Sequence, residues 1–128
     1  MIERKMIAAA CGGFVLATAG ALALHAANAP TAKAYVLGEI DVKDAEGYKA
    51  YAAQTPAIIA RYGGNYLARG GQTVPLEGAP PGSRVVVVEF PSLAAARAFE
   101  DSPEYRAVAP IRQKAATSRL FIVEGLAK

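Results

Sequence analysis

Apolar residues recur with a period of two in some segments and of about 3.6 in others, which predicts strands alternating with helices. The clearest strand runs from Arg84 to Phe90, where four consecutive valines precede Glu89, and a run this rich in β-branched residues is buried on at least one face. Gly70 and Gly71 interrupt a second strand as a bulge or bend. The predicted strands are residues 34–42, 65–69 with a continuation over 72–76, 84–90 and 119–124.

Helical spacing gives one continuous apolar face to the segment after the first strand. Asp41 or Asp44 can cap this helix at its start. Pro56 predicts a kink inside it, and the pair Gly63 and Gly64 ends it. The apolar face comprises Tyr48, Tyr51, Ala52, Thr55, Ile58, Ile59 and Tyr62.

The second helical region is predicted in two pieces, residues 93–99 and a segment that Ser102 caps with Pro103 as its first residue. The resulting order, β-α-β-β-α-β, is that of the ferredoxin-like arrangement, an α+β fold with a four-stranded antiparallel sheet and helices on one face. Both alternating sets of side chains in residues 84–90 are apolar, so the other face of the sheet also needs a cover. The simplest cover is the same face of a second copy, and we therefore expect a homodimer.

The first 29 residues predict a targeting segment rather than part of this domain. Residues 6–24 carry no charge and follow a short charged start, and residues 27–29 (Ala-Asn-Ala) form the small-x-small pattern of a signal peptidase site. We expect residues 1–29 to be a signal peptide and the protein to be periplasmic or secreted. The alternative is an uncleaved membrane anchor at residues 6–24, because the apolar run is long and Pro30 would follow the cut. The remaining domain spans residues 33–128.

The composition after the leader excludes several kinds of chemistry. The single cysteine and the single histidine, Cys11 and His25, both lie in the leader, which excludes thiol catalysis, disulfides, zinc-type cysteine sites, a histidine base and haem on a proximal histidine. No run of spaced aspartates points to a metal, and we expect neither a metal nor a cofactor. Without the leader's +1, the net charge of +3 falls to +2, and no basic run indicates nucleic acid.

Several motifs in the domain resemble those of one bacterial family. They are Tyr48 with Tyr51, residues 61–71 (RYGGNYLARGG), 76–78 (LEG), 84–92 (RVVVVEFPS), 102–105 (SPEY), Arg112 and residues 123–125 (VEG). The family is known only as domain-of-unknown-function family 1330, within the dimeric α+β barrel superfamily. The resemblance covers residues 34–126 and implies a ferredoxin-like protomer whose sheet packs against that of a partner. The superfamily includes cofactor-free monooxygenases, lactone isomerases and haem enzymes, whereas the family itself has no established activity.

Glu89 and Arg112 form the first candidate site. Arg112 shares a helical stripe with Tyr105, so we expect its guanidinium on the apolar side, where it needs an acidic partner or an anionic ligand. Glu89 is the expected partner, with Glu39 and Glu124 on neighbouring strands as alternatives. In the functional interpretation, Arg112 holds a carboxylate or enol oxygen and Glu89 is the catalytic base. The alternative is a structural ion pair between helix and sheet.

Three tyrosines and a second arginine complete the candidate site. Tyr48 and Tyr51 lie one helical step apart on the inward face, Tyr48 as a second catalytic candidate and Tyr51 as a ligand-binding residue, as is Tyr105. The alternative for these tyrosines is a core position with the hydroxyl satisfied. Arg69 precedes two glycines whose amides could form an anion nest, so it could bind a carboxylate or phosphate; the alternative is a bulge that bends the strand.

Three classes of function are compatible with these residues. The first is an exported protein that binds a small acidic or phenolic organic molecule in a pocket between sheet and helices. The second is a cofactor-free oxygenase or isomerase with a Glu or Tyr base, and the third is a structural or interaction module. A cavity beside Arg112 would separate the first two from the third, and turnover would separate catalysis from binding.

Overall fold

The computed structural model describes residues 31–128, so the predicted signal peptide or anchor lies outside the described residues. Within them, four strands and three helices follow in the predicted order. They are β1 (Ala34–Val42), α1 (Ala45–Arg61), β2 (Asn65–Arg69), β3 (Arg84–Phe90), α2 (Leu93–Asp101), α3 (Pro103–Ala115) and β4 (Ala116–Glu124). The sheet has the order β2-β3-β1-β4 with every neighbouring pair antiparallel, which confirms the ferredoxin-like α+β prediction.

Polar side chains begin the helices where the sequence places them. Asp44 caps α1, its Oδ1 accepting from the Gly47 N–H at 3.0 Å. Ser102 caps α3, its Oγ accepting from the Tyr105 N–H at 3.1 Å, with Pro103 as the first helical residue. At the other end of α1 the backbone of Gly63 has φ +79°, which a residue with a side chain rarely adopts.

Pro56 lies in the interior of α1 and leaves one carbonyl without its helical donor. Because proline has no N–H, the oxygen of Ala52 receives no bond from the residue four positions later. The Nη2 of Arg69 on β2 donates to that oxygen at 2.8 Å. An arginine from the sheet therefore replaces the bond that the helix lacks.

The two faces of the sheet differ in what covers them. On β1 and β3, Val36, Ile40, Val88 and Phe90 are buried among helix residues and form the core. The alternate positions point away from the helices and are half-buried or exposed. Those that are apolar include Leu37, Val85, Val87, Phe121 and Val123, the last two each 46% exposed. We call these five residues the open apolar face.

The predicted continuation of the second strand over residues 72–76 is wrong. β2 ends at Arg69, and residues 70–83 form no helix or strand. Gly70 has φ +71°, which turns the chain away from the sheet, and Leu76 is 90% exposed. The bulge is also not at the two glycines, because the register with β3 shifts between Tyr66 and Ala68, which makes Leu67 the extra residue.

None of the helices among residues 31–128 combines the length and the hydropathy that a bilayer crossing requires.

Candidate functional site

A pocket lies between the helix-covered face of the sheet and the helices, and we call it the helix-side pocket. The space open to the centre of a water molecule measures about 30 Å³, and all the empty space between the lining atoms, open solvent included, measures about 440 Å³. The smaller volume has room for about two waters, so an organic ligand would also have to occupy space that is open to solvent. The lining residues are Val36, Ile40, Tyr48, Tyr51, Ala52, Thr55, Ile59, Tyr66, Arg69, Arg84, Val86, Val88, Phe99, Glu100, Tyr105 and Leu120.

The bulge in β2 turns Arg69 towards this pocket. Tyr66 pairs with Val88, but after the extra residue Arg69 pairs with Val86, so Tyr66 and Arg69 share the helix-covered face. In a regular strand, residues three apart would point to opposite faces. The guanidinium carbon of Arg69 lies 4.7 Å from the centre of the Tyr66 ring. The anion nest is not available as predicted, because the Gly70 N–H donates to the Val85 oxygen at 2.8 Å.

Arg84, the first residue of β3, is a second arginine of the pocket. It is half-buried, with its guanidinium carbon 5.6 Å from the centre of the Tyr48 ring. Its Nε is buried and has no hydrogen-bond partner. Among residues 31–128 no carboxylate oxygen lies within 4.0 Å of the guanidinium of Arg69, Arg84 or Arg112.

Tyr51, Tyr105 and Arg112 form a polar group; the two tyrosines line the pocket, and we call the part that they line its base. The two tyrosine hydroxyls are 2.9 Å apart and hydrogen bonded, and the guanidinium carbon of Arg112 lies 5.7 Å from the centre of the Tyr51 ring. Arg112 is only 7% exposed, which confirms its predicted place on the apolar side of α3. Burial raises the pKa of Tyr51, so its hydroxyl stays protonated at neutral pH. Burial acts to lower the pKa of Arg112, but the Tyr105 and Tyr51 hydroxyls outweigh this and the net pKa is raised.

Glu100 is the acidic residue of the pocket. It lies near the end of α2, and its Oε1 is buried without a hydrogen-bond partner. Burial raises the pKa of its carboxyl, and the charge of Arg112 opposes this shift. A carboxyl with a raised pKa in the lining of a pocket can exchange protons with a bound molecule.

The predicted pair of Glu89 and Arg112 is wrong, because the two side chains lie on opposite faces of the sheet. Val88 and Phe90 point into the core, so Glu89 between them points to the open apolar face. Its Oε1 accepts from the Lys33 ammonium group at 2.8 Å.

Neither of the alternative carboxylates predicted for Arg112 pairs with it in the described residues, 31–128. Glu39 forms an ion pair with Arg119 at 2.8 Å, and Glu124 is exposed at the end of β4.

Of the six predicted site residues, four line the helix-side pocket, Arg112 lies behind the tyrosine pair, and Glu89 is absent from the lining. Tyr66, Arg84 and Glu100 were missed. Strand alternation puts Arg84 on the same face as Val86 and Val88, but valines on both sides of β3 hide which face meets the helices. Helical spacing could have found Glu100, which lies four residues after the fully buried Ala96.

The described part of the chain, residues 31–128, contains no group of three or more Cys, His, Asp or Glu side chains that could hold a metal ion. The polar residues in the lining of the pocket are Tyr48, Tyr51, Thr55, Tyr66, Arg69, Arg84, Glu100 and Tyr105. Arg69 and Arg84 can hold an anion, aromatic and aliphatic side chains can contact a flat apolar body, and tyrosine hydroxyls and the Glu100 carboxyl can form hydrogen bonds.

Comparison with solved structures shows the same fold in proteins of bacteria. The protein of unknown function RPA0582 from Rhodopseudomonas palustris is 26% identical, with a TM-score of 0.62 over 85% of this chain and 94% of its own. SnoaB, a cofactor-independent oxygenase from Streptomyces nogalater, is 17% identical, with a TM-score of 0.53 over 77% of this chain and 97% of its own. The second likeness concerns the fold alone. No functionally curated protein matches the chain in sequence.

The sequence profile of one family matches residues 33–126, nearly the whole of the described domain. This match confirms the resemblance found in the motifs of the sequence. The chain belongs to DUF1330, a family described as a domain of unknown function.

Proposed function

We propose that this protein binds a small aromatic organic anion in the helix-side pocket. The observation that carries the proposal is Arg84, a half-buried guanidinium in the pocket wall with an unpartnered Nε and no carboxylate within 4.0 Å among residues 31–128. Desolvating a charge without a counter-charge is costly, and an anionic ligand would remove that cost. Arg69 adds a second positive charge at the same pocket.

The walls of the pocket favour a flat apolar body between these cations and the base. Tyr48, Tyr66 and Phe99 offer ring faces and edges, and valine and isoleucine side chains of the sheet form the floor. The limited volume favours a ligand with one ring over a larger fused system. Benzoate is therefore a suitable probe for the anion site.

Calorimetric titration of the purified protein with benzoate and with neutral benzamide tests this proposal. We expect benzoate to bind more tightly, and Arg84→Met to weaken benzoate at least about tenfold, as the loss of a charge-assisted bond predicts. Arg106→Met, which removes an exposed arginine from α3, is the matched control and should change the affinity less than about twofold. Equal affinity for benzoate and benzamide would refute an anion site.

A second candidate function is catalysis as a cofactor-free oxygenase or an isomerase. It is favoured by Glu100, a half-buried carboxyl with a raised pKa in the pocket, and by the likeness in fold to the oxygenase SnoaB. Glu100 would be the base in place of the sequence-predicted Glu89. Incubation with single-ring hydroxyaromatic acids, followed by oxygen electrode and mass spectrometry, tests for turnover. If oxygen uptake and isomeric product both stay at the level of the Glu100→Gln variant, catalysis on these compounds is excluded.

We also propose that the protein is a homodimer in which the open apolar face covers the same face of a second copy. Phe121 and Val123 remain 46% exposed, and exposed apolar clusters of this kind favour association. Native mass spectrometry or light scattering of the purified protein would give the mass. Phe121→Arg should yield monomers and Gln113→Arg, on the outer surface of α3, should not. A monomeric wild-type protein would contradict the proposal.

Export remains a proposal based on the sequence of residues 1–29. Cell fractionation and N-terminal sequencing of the protein from its own host would distinguish a mature protein that begins at Pro30 from one anchored by residues 6–24. Protein found in the cytoplasm with its first residues intact would contradict both alternatives.

A further inference from the structure

The base of the helix-side pocket contains a hydroxyl hydrogen that no group among residues 31–128 accepts. Tyr51 and Tyr105 share one hydrogen bond between their hydroxyls, in which one hydroxyl donates and the other accepts. The hydrogen of the accepting hydroxyl is left over. Arg112 behind the pair cannot accept it, because a guanidinium only donates. Both tyrosines line the pocket, which makes a bound ligand the candidate acceptor for this hydrogen.

The same pocket contains an acceptor that is equally unused. The Oε1 of Glu100 is buried and has no hydrogen-bond partner, although an unpaired buried oxygen carries a free-energy cost. Glu100 reaches the pocket from α2, whereas Tyr51 and Tyr105 reach it from α1 and α3. Three helices thus bring an unused donor and an unused acceptor to one cavity.

From this juxtaposition we infer that the base of the pocket recognises a hydroxyl group on the ligand. A hydroxyl is the small group that accepts one hydrogen bond and donates another, as this donor and this acceptor require. This inference rests on the proposed anion site at Arg84. A ligand that fits both the hydroxyl site and the anion site is a single-ring hydroxyaryl carboxylate. The carboxylate lies near the arginines and the hydroxyl near the tyrosine pair and Glu100.

Glu100 has charged neighbours that act in opposite directions on its pKa. Burial and the neighbouring Asp101 favour the protonated carboxyl, whereas Arg112 on α3 favours the ionised form. When ionised, Glu100 accepts a hydrogen bond from a phenol that is stronger than a bond between neutral groups. Arg112 acts through its neighbours as a positioning residue, since it is absent from the pocket lining.

The test compares the affinities of benzoate, phenol and the tighter of 3- and 4-hydroxybenzoate by calorimetric titration of the full-length protein. We expect the hydroxyl to improve the affinity over benzoate at least about tenfold, the range for a hydrogen bond to a charged group. Within the Glu100→Leu variant, hydroxybenzoate and benzoate should bind with affinities equal to within about twofold, because the acceptor for the ligand hydroxyl is gone. Glu100→Gln is the second variant, which keeps a polar group if the leucine protein does not fold, and it should lose part of the preference. Glu46→Leu, at an exposed position of α1, is the matched control.

The outcomes separate this inference from the proposed function. If benzoate binds and the hydroxyl adds nothing, the hydroxyl site is refuted, water satisfies the two groups, and the anion site stands. If phenol binds but benzoate does not, the anion site is refuted and the hydroxyl site stands. A hydroxyl preference that both Glu100 variants retain in full overturns the role of Glu100. Binding of none of these compounds overturns both proposals.

Discussion

The bond between Arg69 and the carbonyl of Ala52 gives the sharpest prediction on stability. The Ala52 oxygen is free to accept this bond because Pro56 has no N–H to donate to it. The stability that Arg69 contributes should therefore depend on the residue at position 56. Pro56→Ala restores an N–H at the position where the helix lacks one. Arg69→Met removes the guanidinium while keeping most of the aliphatic stem.

The expected magnitude follows from two contacts of Arg69. Its bond to the Ala52 oxygen is worth about 1 kcal/mol, and its stacking on Tyr66 at an exposed site is worth about 0.5 kcal/mol. Arg69→Met should therefore lower the free energy of unfolding by about 1.5 kcal/mol in the wild-type protein. With alanine at position 56 the helix satisfies the oxygen itself, and only about 0.5 kcal/mol should be lost.

Urea denaturation of the two single variants and the double variant measures the coupling, which we expect to be about 1 kcal/mol. That difference corresponds to about 0.6 M in the urea midpoint for a domain of this size. Arg106→Met on the outer surface of α3 should be additive with Pro56→Ala and serves as the control. If the effects of Arg69→Met and Pro56→Ala add to within about 0.3 kcal/mol, Arg69 does not replace the missing helical bond.

Three further predictions concern the core and the charged groups. Because the pKa of Glu100 is raised, the folded state keeps this proton at a pH where the unfolded chain has lost it. The free energy of unfolding should therefore fall as pH rises from the ordinary pKa of 4.5 through the folded pKa. Urea titrations at several pH values should show a flatter profile in this range for Glu100→Gln. Gly64→Ala would place a methyl group 2.6 Å from a side chain of α1 and 2.7 Å from one of β3, so it should lower the free energy of unfolding by about 1–3 kcal/mol. Gly71→Ala, with no atom of residues 31–128 within 4 Å, is the control and should be near neutral. Equal effects of the two variants in thermal unfolding would contradict the packing. Glu89→Gln and Arg112→Leu should be additive in a double-mutant cycle, since the side chains lie on opposite sheet faces, and coupling of about 0.5 kcal/mol or more would refute that placement.

The sequence was sufficient for the order and type of the elements but not for the face on which each strand residue lies. A strand with polar residues on one side shows its orientation directly, but β3 has valines on both sides, so its alternation does not tell which set meets the helices. Only the register with β1 shows that Glu89 lies opposite Tyr35 and away from the core. The error in the predicted site follows from this one ambiguity.

The other misses come from the ends of elements, where local patterns are weakest. The helix predicted to end at Phe99 continues to Asp101, and that extra length carries Glu100 into the pocket. The bulge in β2 occurs at Leu67, a residue with no turn propensity, while the conspicuous glycines follow the strand. Arg69 lines the pocket because of the bulge at Leu67, and not because of the anion nest predicted at Gly70 and Gly71.

The N–H of Gly125 donates to the oxygen of Lys33 at 2.7 Å, so the start of β1 and the end of β4 are neighbours. The two strands pair along their whole length from Ala34 with Glu124 to Val42 with Ala116. A circularly permuted chain could therefore connect these ends by a short linker and open within the exposed residues 72–79. Every strand pairing would survive that rearrangement, so the linear succession of segments is not what holds the architecture together.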